Sequence, residues 1–256
     1  MARKKKAVKV NIFGPGSIKD LVKYHIDLID MDNYDWVNYS DLILLYQPHL
    51  MDPEKFNWKE DSWAVALYYP EYLDPEKYNW KEHSEQVARY CPEKLDPEKY
   101  NWEENTGAVV RYCPEKLDFE KFNWERSSYY LAKYWPEGID PERYNWENHS
   151  WAIAQYCPEK LDPEKYNWED QSKDVAQYCP QYLEPERYNW EDHSKYIAMY
   201  CLEKLDPEKY NWEKHSWAVA KYCPERLDPE KYNWKDYTWD VAQCCPDKLE
   251  LKPKEV

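Results

Sequence analysis

Cysteine and histidine are the residues of this chain best suited to chemistry, and both recur at fixed places. Cys91, Cys113, Cys157, Cys179, Cys201, Cys223 and Cys245 are separated by 22 residues or a multiple of 22. Thiols in such a register could form disulfides or hold a metal. Equivalent places on neighbouring packed helices lie about 8–10 Å apart, beyond the reach of a disulfide. Tyr69 and Trp135 take the same place in other copies. A place that accepts Cys, Tyr or Trp is an apolar packing place, and a buried free thiol is an ordinary core residue. Cys244 and Cys245 are adjacent, which is not a zinc-binding spacing.

His83, His149, His193 and His215 also share one place, but the residue before each differs: Glu82, Asn148, Asp192 and Lys214. A catalytic or metal site would hold that neighbour constant. Metal ligands must come within about 2 Å of one ion, and residues a whole copy apart do not converge. These histidines are expected on the surface, at helix entrances. The Asp and Glu residues are spread along each copy, where they serve caps and helix dipoles. The sequence holds no Gly-rich phosphate loop and no nucleophile motif. The pattern points away from an enzyme and implies no cofactor and no metal.

The elements that would position these residues follow from the period. Trp36, Trp58, Trp80, Trp102, Trp124, Trp146, Trp168, Trp190, Trp212 and Trp234 stand at a strict spacing of 22, each with Tyr or Phe two residues earlier. No insertion breaks the register, so a single run of tandem repeats is expected. In Asp162-Pro163-Glu164-Lys165-Tyr166-Asn167-Trp168, Asp caps free amides and Pro suits a first helical position. This half of the copy is expected to be a brief α or 3-10 piece. The second half opens on Ser62, Ser84, Thr106, Ser128, Ser150, Ser172, Ser194, Ser216 or Thr238, each a good helix cap. From Ser150, the apolar Ile153, Ala154, Tyr156 and Cys157 fall on one helical face. Pro158 stops the helix after about two turns. Pro-Glu-Lys-Leu then turns the chain and points Leu161 inward. No stretch alternates as a strand would, and Pro would interrupt each candidate.

The expected fold is therefore all-α, a solenoid of 22-residue repeats, each a short α-helix with one or two short 3-10 or α turns. An isolated copy buries too little to fold alone, and stacking supplies the core. Residues 1–16 are expected to be a basic, flexible segment with a solvated cluster at Arg3, Lys4, Lys5 and Lys6. Residues 17–51 form a divergent capping repeat, in which Asp30-Met31-Asp32-Asn33-Tyr34-Asp35-Trp36 matches the motif. Residues 52–249 are the tandem repeats, and 250–256 a polar tail.

The short helix, the Pro-broken turn and the recurring Leu73, Leu95, Leu117, Leu161, Leu183, Leu205, Leu227 and Leu249 give the chain an architectural resemblance to the leucine-rich-repeat-variant class of right-handed solenoids. The period and the Tyr-Asn-Trp core depart from that class. The resemblance implies a helical solenoid without enzyme activity, and no functional residue is carried over from it.

Composition narrows the function further. The chain has 15 Trp and 26 Tyr against 4 Phe, and only 4 Gly against 19 Pro. Its formal net charge is −15, which repels phosphate backbones and disfavours direct nucleic-acid binding. No run of about 18 apolar residues could span a membrane, and no signal peptide follows the basic cluster. With its free cysteines, the chain is expected in the cytoplasm.

Differences among the copies supply the functional clue. The place after the helix cap reads Trp63, Glu85, Gly107, Tyr129, Trp151, Lys173, Lys195, Trp217, Trp239, and the place four later includes Arg89 and Arg111. These two places share a helix face opposite the constant Val, Ile or Leu. Trp63, Tyr129, Trp151, Trp217, Trp239, Arg89 and Arg111 are accordingly the expected contacts for a protein partner. The expected function is a non-enzymatic protein-binding scaffold. The alternative is an acidic nucleic-acid mimic that blocks a DNA- or RNA-binding protein, as an anti-defence protein would. Fifteen net charges spread over ten units about 8–10 Å apart is about one per 6 Å, against about one per 1.7 Å in duplex DNA.

Overall fold

The computed structural model describes residues 14–253; the basic cluster Arg3–Lys6 and the last three residues lie outside this range. Within it the chain is all-helical, a solenoid of 22-residue repeats without strands among the described residues. The α-helices are α1 (Gly14–Tyr24), α2 (Trp36–Tyr46), α3 (Trp58–Tyr68), α4 (Trp80–Tyr90), α5 (Trp102–Tyr112), α6 (Trp124–Tyr134), α7 (Trp146–Tyr156), α8 (Trp168–Tyr178), α9 (Trp190–Tyr200), α10 (Trp212–Tyr222) and α11 (Trp234–Cys244). Each is followed by a short 3-10 helix, in most copies opened by Pro. Contacts divide the chain into two compact units, one ending at Asn123 and the other starting at Trp124. Within α1–α5, and separately within α6–α11, consecutive helices pack on one another. The sequence register alone gives no sign of this division. It falls in the copy where Phe119 replaces the Pro of the motif.

The helices start earlier than the serines suggest. From α2 onward each runs from the Trp of the motif, three turns rather than two, and in α3–α5 and α7–α11 its cap is the Asn before that Trp. Asn167 Oδ1 accepts the amide of Asp170 at 3.1 Å, and Asn57, Asn79, Asn101, Asn145, Asn189, Asn211 and Asn233 cap in the same way. These Asn residues have φ near −78° and ψ near 80°, and the following Trp amide bonds the Tyr carbonyl two residues back, at 3.0 Å for Trp168. That is an inverse γ-turn. Asp-Pro-Glu-Lys-Tyr is a single turn rather than a helix. The Asp162 carbonyl accepts from Lys165 and Tyr166, and its carboxylate accepts the Glu164 amide at 3.0 Å. The Asp thus holds an Asx turn instead of capping a helix.

The serines lie inside the helices, fully buried, because their partner belongs to the next copy. Ser150 Oγ accepts the backbone N–H of Asn167 at 3.1 Å, and Asn167 Nδ2 donates to the Glu147 carbonyl at 2.8 Å. The same two bonds join every consecutive pair of copies from α2 to α5 and from α6 to α11. One Asn side chain therefore starts its own helix and fastens it to the preceding one. In α2 the cap is Asp35, which offers no amide to an earlier helix.

The hydroxyl proton of each serine goes where the next copy allows. Ser62, Ser128, Ser172 and Ser194 meet the Nδ1 atoms of His83, His149, His193 and His215, the last three at 2.8–2.9 Å. Burial disfavours the charged imidazole, so each serine shares its hydrogen bond with a neutral histidine. Ser84, Ser150 and Ser216, followed by copies with Asn105, Gln171 and Tyr237 at that place, donate instead to their own helix, four residues back. The expectation of surface histidines at helix entrances is thus corrected: they are wedged between copies, and His215 is buried. In α2, α4 and α11 the backbone leaves helical geometry at this place, at Tyr39, His83 and Tyr237. The motif tyrosine donates to the carbonyl there, as Tyr78 does to His83 at 2.8 Å.

The core is built from the motif aromatics, the constant Val, Ile or Leu, the following Ala and the cysteines. Motif Tyr and Trp rings meet edge-on or tilted, with centroids 5.0 Å apart in Tyr166–Trp168. Burial pushes the thiols of Cys91, Cys157, Cys179, Cys201 and Cys223 up to about 12, so they stay protonated and unreactive. Trp168 Nε1 donates to the Pro163 carbonyl at 2.9 Å, and the same oxygen accepts from Arg187 of the next copy. In the divergent copy Met31 stands where Pro otherwise does, and Trp36 Nε1 is buried without a partner among the described residues. Pro fixes φ and so aims the carbonyl that the indole needs. Tyr156, which shares the apolar spacing of the core residues, instead lies at the surface.

One copy replaces Cys by Trp135 and Lys by Gly138. A Cβ at 138 would overlap the Trp135 indole, so the two changes are one packing solution. Gly138→Lys alone, which restores the repeat, is expected to destabilise by about 1–3 kcal/mol through overpacking, and Trp135→Cys should rescue it in the double variant. Urea midpoints test this, and additive losses would refute the coupling. Asn167→Asp retains an excellent cap but loses the amide donor facing the Glu147 carbonyl. We expect a loss of about 1–3 kcal/mol; an unchanged urea midpoint would show that capping is the whole role. Burial lowers the pKa of His83, His149 and His193, and burial with nearby Lys195 and Lys214 takes His215 down to about 4. Neutral histidine is the folded form, so its contribution is complete above about pH 6.5 and is lost as pH falls toward the folded value. Relative to His215→Gln, the residue natural at 171, the unsubstituted protein should lose on the order of 1 kcal/mol more stability between about pH 7 and about pH 5.

Candidate interaction surface

Three places on each helix form the surface: the one after the buried Ser or Thr, the one four later and the one five later. The first two lie on one face by helical spacing. The third lies beside them, where its ring meets the Trp of the first place in α3, α7 and α10. The buried Val, Ile or Leu lies on the opposite side, toward the core. The last of the three is Tyr in every helix from α3 to α10. Tyr156, Tyr178, Tyr200 and Tyr222 are 37–46% exposed. Tyr156 meets Trp151, Tyr200 stacks on Tyr196 and Tyr222 meets Trp217.

Cations thread this tyrosine column. The Arg89 guanidinium sits 5.0 Å from the Tyr90 ring and 5.4 Å from the Tyr112 ring of the next copy. Lys133 Nζ lies 5.2 Å from Tyr134 and 5.3 Å from Tyr156. Arg111 covers Tyr112, and Lys221 covers Tyr222. Such contacts hold the cation over the ring quadrupole at modest energy in water.

The residues expected from the sequence to meet a partner fall into different environments. Trp63, Trp151 and Trp217 are half-buried, each at the edge of the core, with centroids 6.3–6.4 Å from the tyrosine five residues on. Tyr129 is half-buried too and stacks 6.0 Å from Trp151 of the next copy. Each of these rings therefore presents one edge and packs with the other. Trp239, on the last helix, is 75% exposed because no described copy follows to cover it. Arg89 and Arg111 are exposed and meet through Tyr112 in the first unit. Tyr129 and Trp151 are in contact in the second unit. The tyrosine column itself is missed by sequence spacing, which assigns it to the core. A basic residue directly before Tyr90, Tyr112, Tyr134 and Tyr222 is the available signal.

The acidic side chains are concentrated on other places. Glu164 pairs with Arg187, Glu186 with Lys209 and Glu208 with Lys231, in a running ladder from copy to copy. The glutamates are mostly exposed, so the ladder adds little to stability and chiefly aligns the turns. Among the described residues, no group of His, Cys, Asp and Glu side chains could hold a metal ion, and no helix is long and apolar enough to cross a membrane. Neither a protein-family model, nor a curated protein, nor a solved structure matches the chain.

Proposed function

We propose that the chain is a non-enzymatic scaffold that binds a protein through this tyrosine-bearing helix face. The observation that carries the reading is an aromatic ring at the same surface place of successive helices within each unit, from α3 to α5 and from α6 to α10, whose neighbours vary from copy to copy. Tyr and Trp give large contact area with little side-chain entropy, and they dominate interface energetics. Repeats display such columns over long surfaces. Trp239, Arg89 and Arg111 are the exposed members; Trp63, Tyr129, Trp151 and Trp217 support them from the core edge. The acid ladder supports this reading over nucleic-acid mimicry, because each of its carboxylates is neutralised by the next copy. The buried, protonated thiols suit the reducing cytoplasm.

The test is capture of partners from a lysate of the source cells on immobilised protein. Combining Trp239→Ala with Lys195→Glu and Lys221→Glu changes the surface without opening the core. Loss of the captured bands, with far-UV circular dichroism and Tm unchanged, is the expected result. Bands retained at full intensity would overturn the reading.

A further inference from the structure

One helix of the second unit stands between two histidines. His193 of α9 enters the joint with α8, where its Nδ1 lies 2.9 Å from Ser172 Oγ. His215 of α10 enters the joint with α9, where its Nδ1 lies 2.9 Å from Ser194 Oγ. Among the described residues, α9 is the one helix with a histidine in both of its joints. The next joints outward hold Gln171 toward α7 and Tyr237 toward α11. Gln171 accepts the Trp151 amide at 2.6 Å and donates to the Glu147 carbonyl at 2.9 Å, and Tyr237 donates to the Lys214 carbonyl at 2.9 Å. Neither side chain gains a charge between about pH 7 and about pH 5, so α9 is bracketed by joints that mild acid leaves alone.

Two further features loosen this copy. Trp190 is half-buried, whereas the motif Trp of α7, α8, α10 and α11 is buried. Leu202 follows Cys201 where the other copies from α3 to α11 have Pro, so the unfolded chain is less restricted here. A repeat is held by its neighbours alone, and a helix whose two joints weaken together can open locally while the rest of the stack persists.

Protonation weakens both joints. The groups facing His193 are Ser172, Asp170 and Lys173 of α8 and, on its own helix, Asp192, Lys195 and the Tyr196 ring 6.0 Å away. Those facing His215 are Ser194, Lys195, Glu191 and Asp192 of α9 and Lys214 of its own helix. Burial disfavours both imidazolium ions; Lys173 and Lys195 add to this at His193, as Lys195 and Lys214 do at His215, and the carboxylates oppose it without prevailing. Glu191 and Asp192 are already engaged by Lys214, at 2.7 and 3.4 Å. The charged imidazole is therefore favoured when the helix leaves its neighbour and water reaches the ring. Each histidine biases the open form as pH falls through about 6.5 toward the folded value.

The helix so released carries Lys195 and Tyr200 of the outer face, and Tyr200 stands between Tyr178 of α8 and Tyr222 of α10. We propose that mild acid frees α9 from α8 and α10 and so divides the partner-binding face, which makes binding to that face reversible by pH. The opening of α9 stands on the joints alone; its effect on a partner rests on the scaffold reading above.

The test is hydrogen–deuterium exchange of the full chain, read by mass spectrometry at about pH 7 and about pH 5 and corrected for the intrinsic exchange rate. Amides of α9 should lose protection by at least about tenfold in acid, while those of α5, whose joint with α4 holds Asn105, should keep theirs. His193→Gln with His215→Gln, the residue natural at 171, should abolish the acid-dependent loss. His193→Asn with His215→Asn, the residue natural at 105, takes its place if the first pair fails to fold. Equal loss in every helix, no loss in α9, or a loss unchanged by the substitutions would overturn the proposal. For the face, partners captured from lysate at about pH 7 and washed at about pH 5 should elute from the unsubstituted protein and stay on the double variant. Elution from both alike, or from neither, would overturn the link to the face. If the surface variant with Trp239→Ala captures as well as the unsubstituted protein, the scaffold reading falls, and exchange at α9 still decides the opening.

Discussion

The joint between successive copies is one asparagine. Its backbone amide enters the preceding helix to reach a buried serine, its side-chain amide reaches a carbonyl of that helix, and its side-chain oxygen starts the next helix. A buried serine would be costly if unpaired; this geometry pairs it at every joint within α2–α5 and within α6–α11. No other residue type fits. Asp lacks the donor, Gln sets its amide one methylene farther out, and Ser or Thr offers a single oxygen. Helix start, helix spacing and helix register are thus fixed by the same side chain.

Around that joint the other constant residues are aligned rather than independently placed. Pro aims a carbonyl that satisfies both the indole of its own copy and the cation of the next. Tyr satisfies the carbonyl exposed where the helix bends. The Val or Ile and the Cys then fill the space so defined, and Trp135 with Gly138 shows that the space can be repartitioned if the total is kept. The outer face is free of these demands, which is why Trp, Lys, Glu and Gly can all follow the serine.

Much of the fold is legible in the sequence because its signals are local or periodic. The spacing of the tryptophans shows the repeat, Pro158 marks the helix end, and the interchange of Cys with Tyr69 and Trp135 reveals an apolar place. What is not legible depends on contacts between copies. Ser150 reads as a helix cap because its true partner lies seventeen residues on, outside any local window. Asn167 was the better cap, but it hides behind the more familiar Asp-Pro start. Tyr156 has the spacing of a core residue, and spacing cannot tell a ring that fills the interior from one that lies along its rim. The histidines look superficial for the same reason, since the helix that encloses each one belongs to a neighbouring copy.

The serine–asparagine joint also bears on how such a chain can change over generations. Each interior copy carries both halves, a serine for the copy that follows and an asparagine for the copy before. Within a unit, a newly duplicated copy arrives with its own fastenings, and a deleted one leaves compatible ends. Length can therefore vary in whole steps of one repeat with no compensating mutation, while a gain or loss of any other size would put serine and asparagine out of reach. Recombination between near-identical copies is the kind of event this architecture tolerates best, and the outer face is where the resulting variation can accumulate.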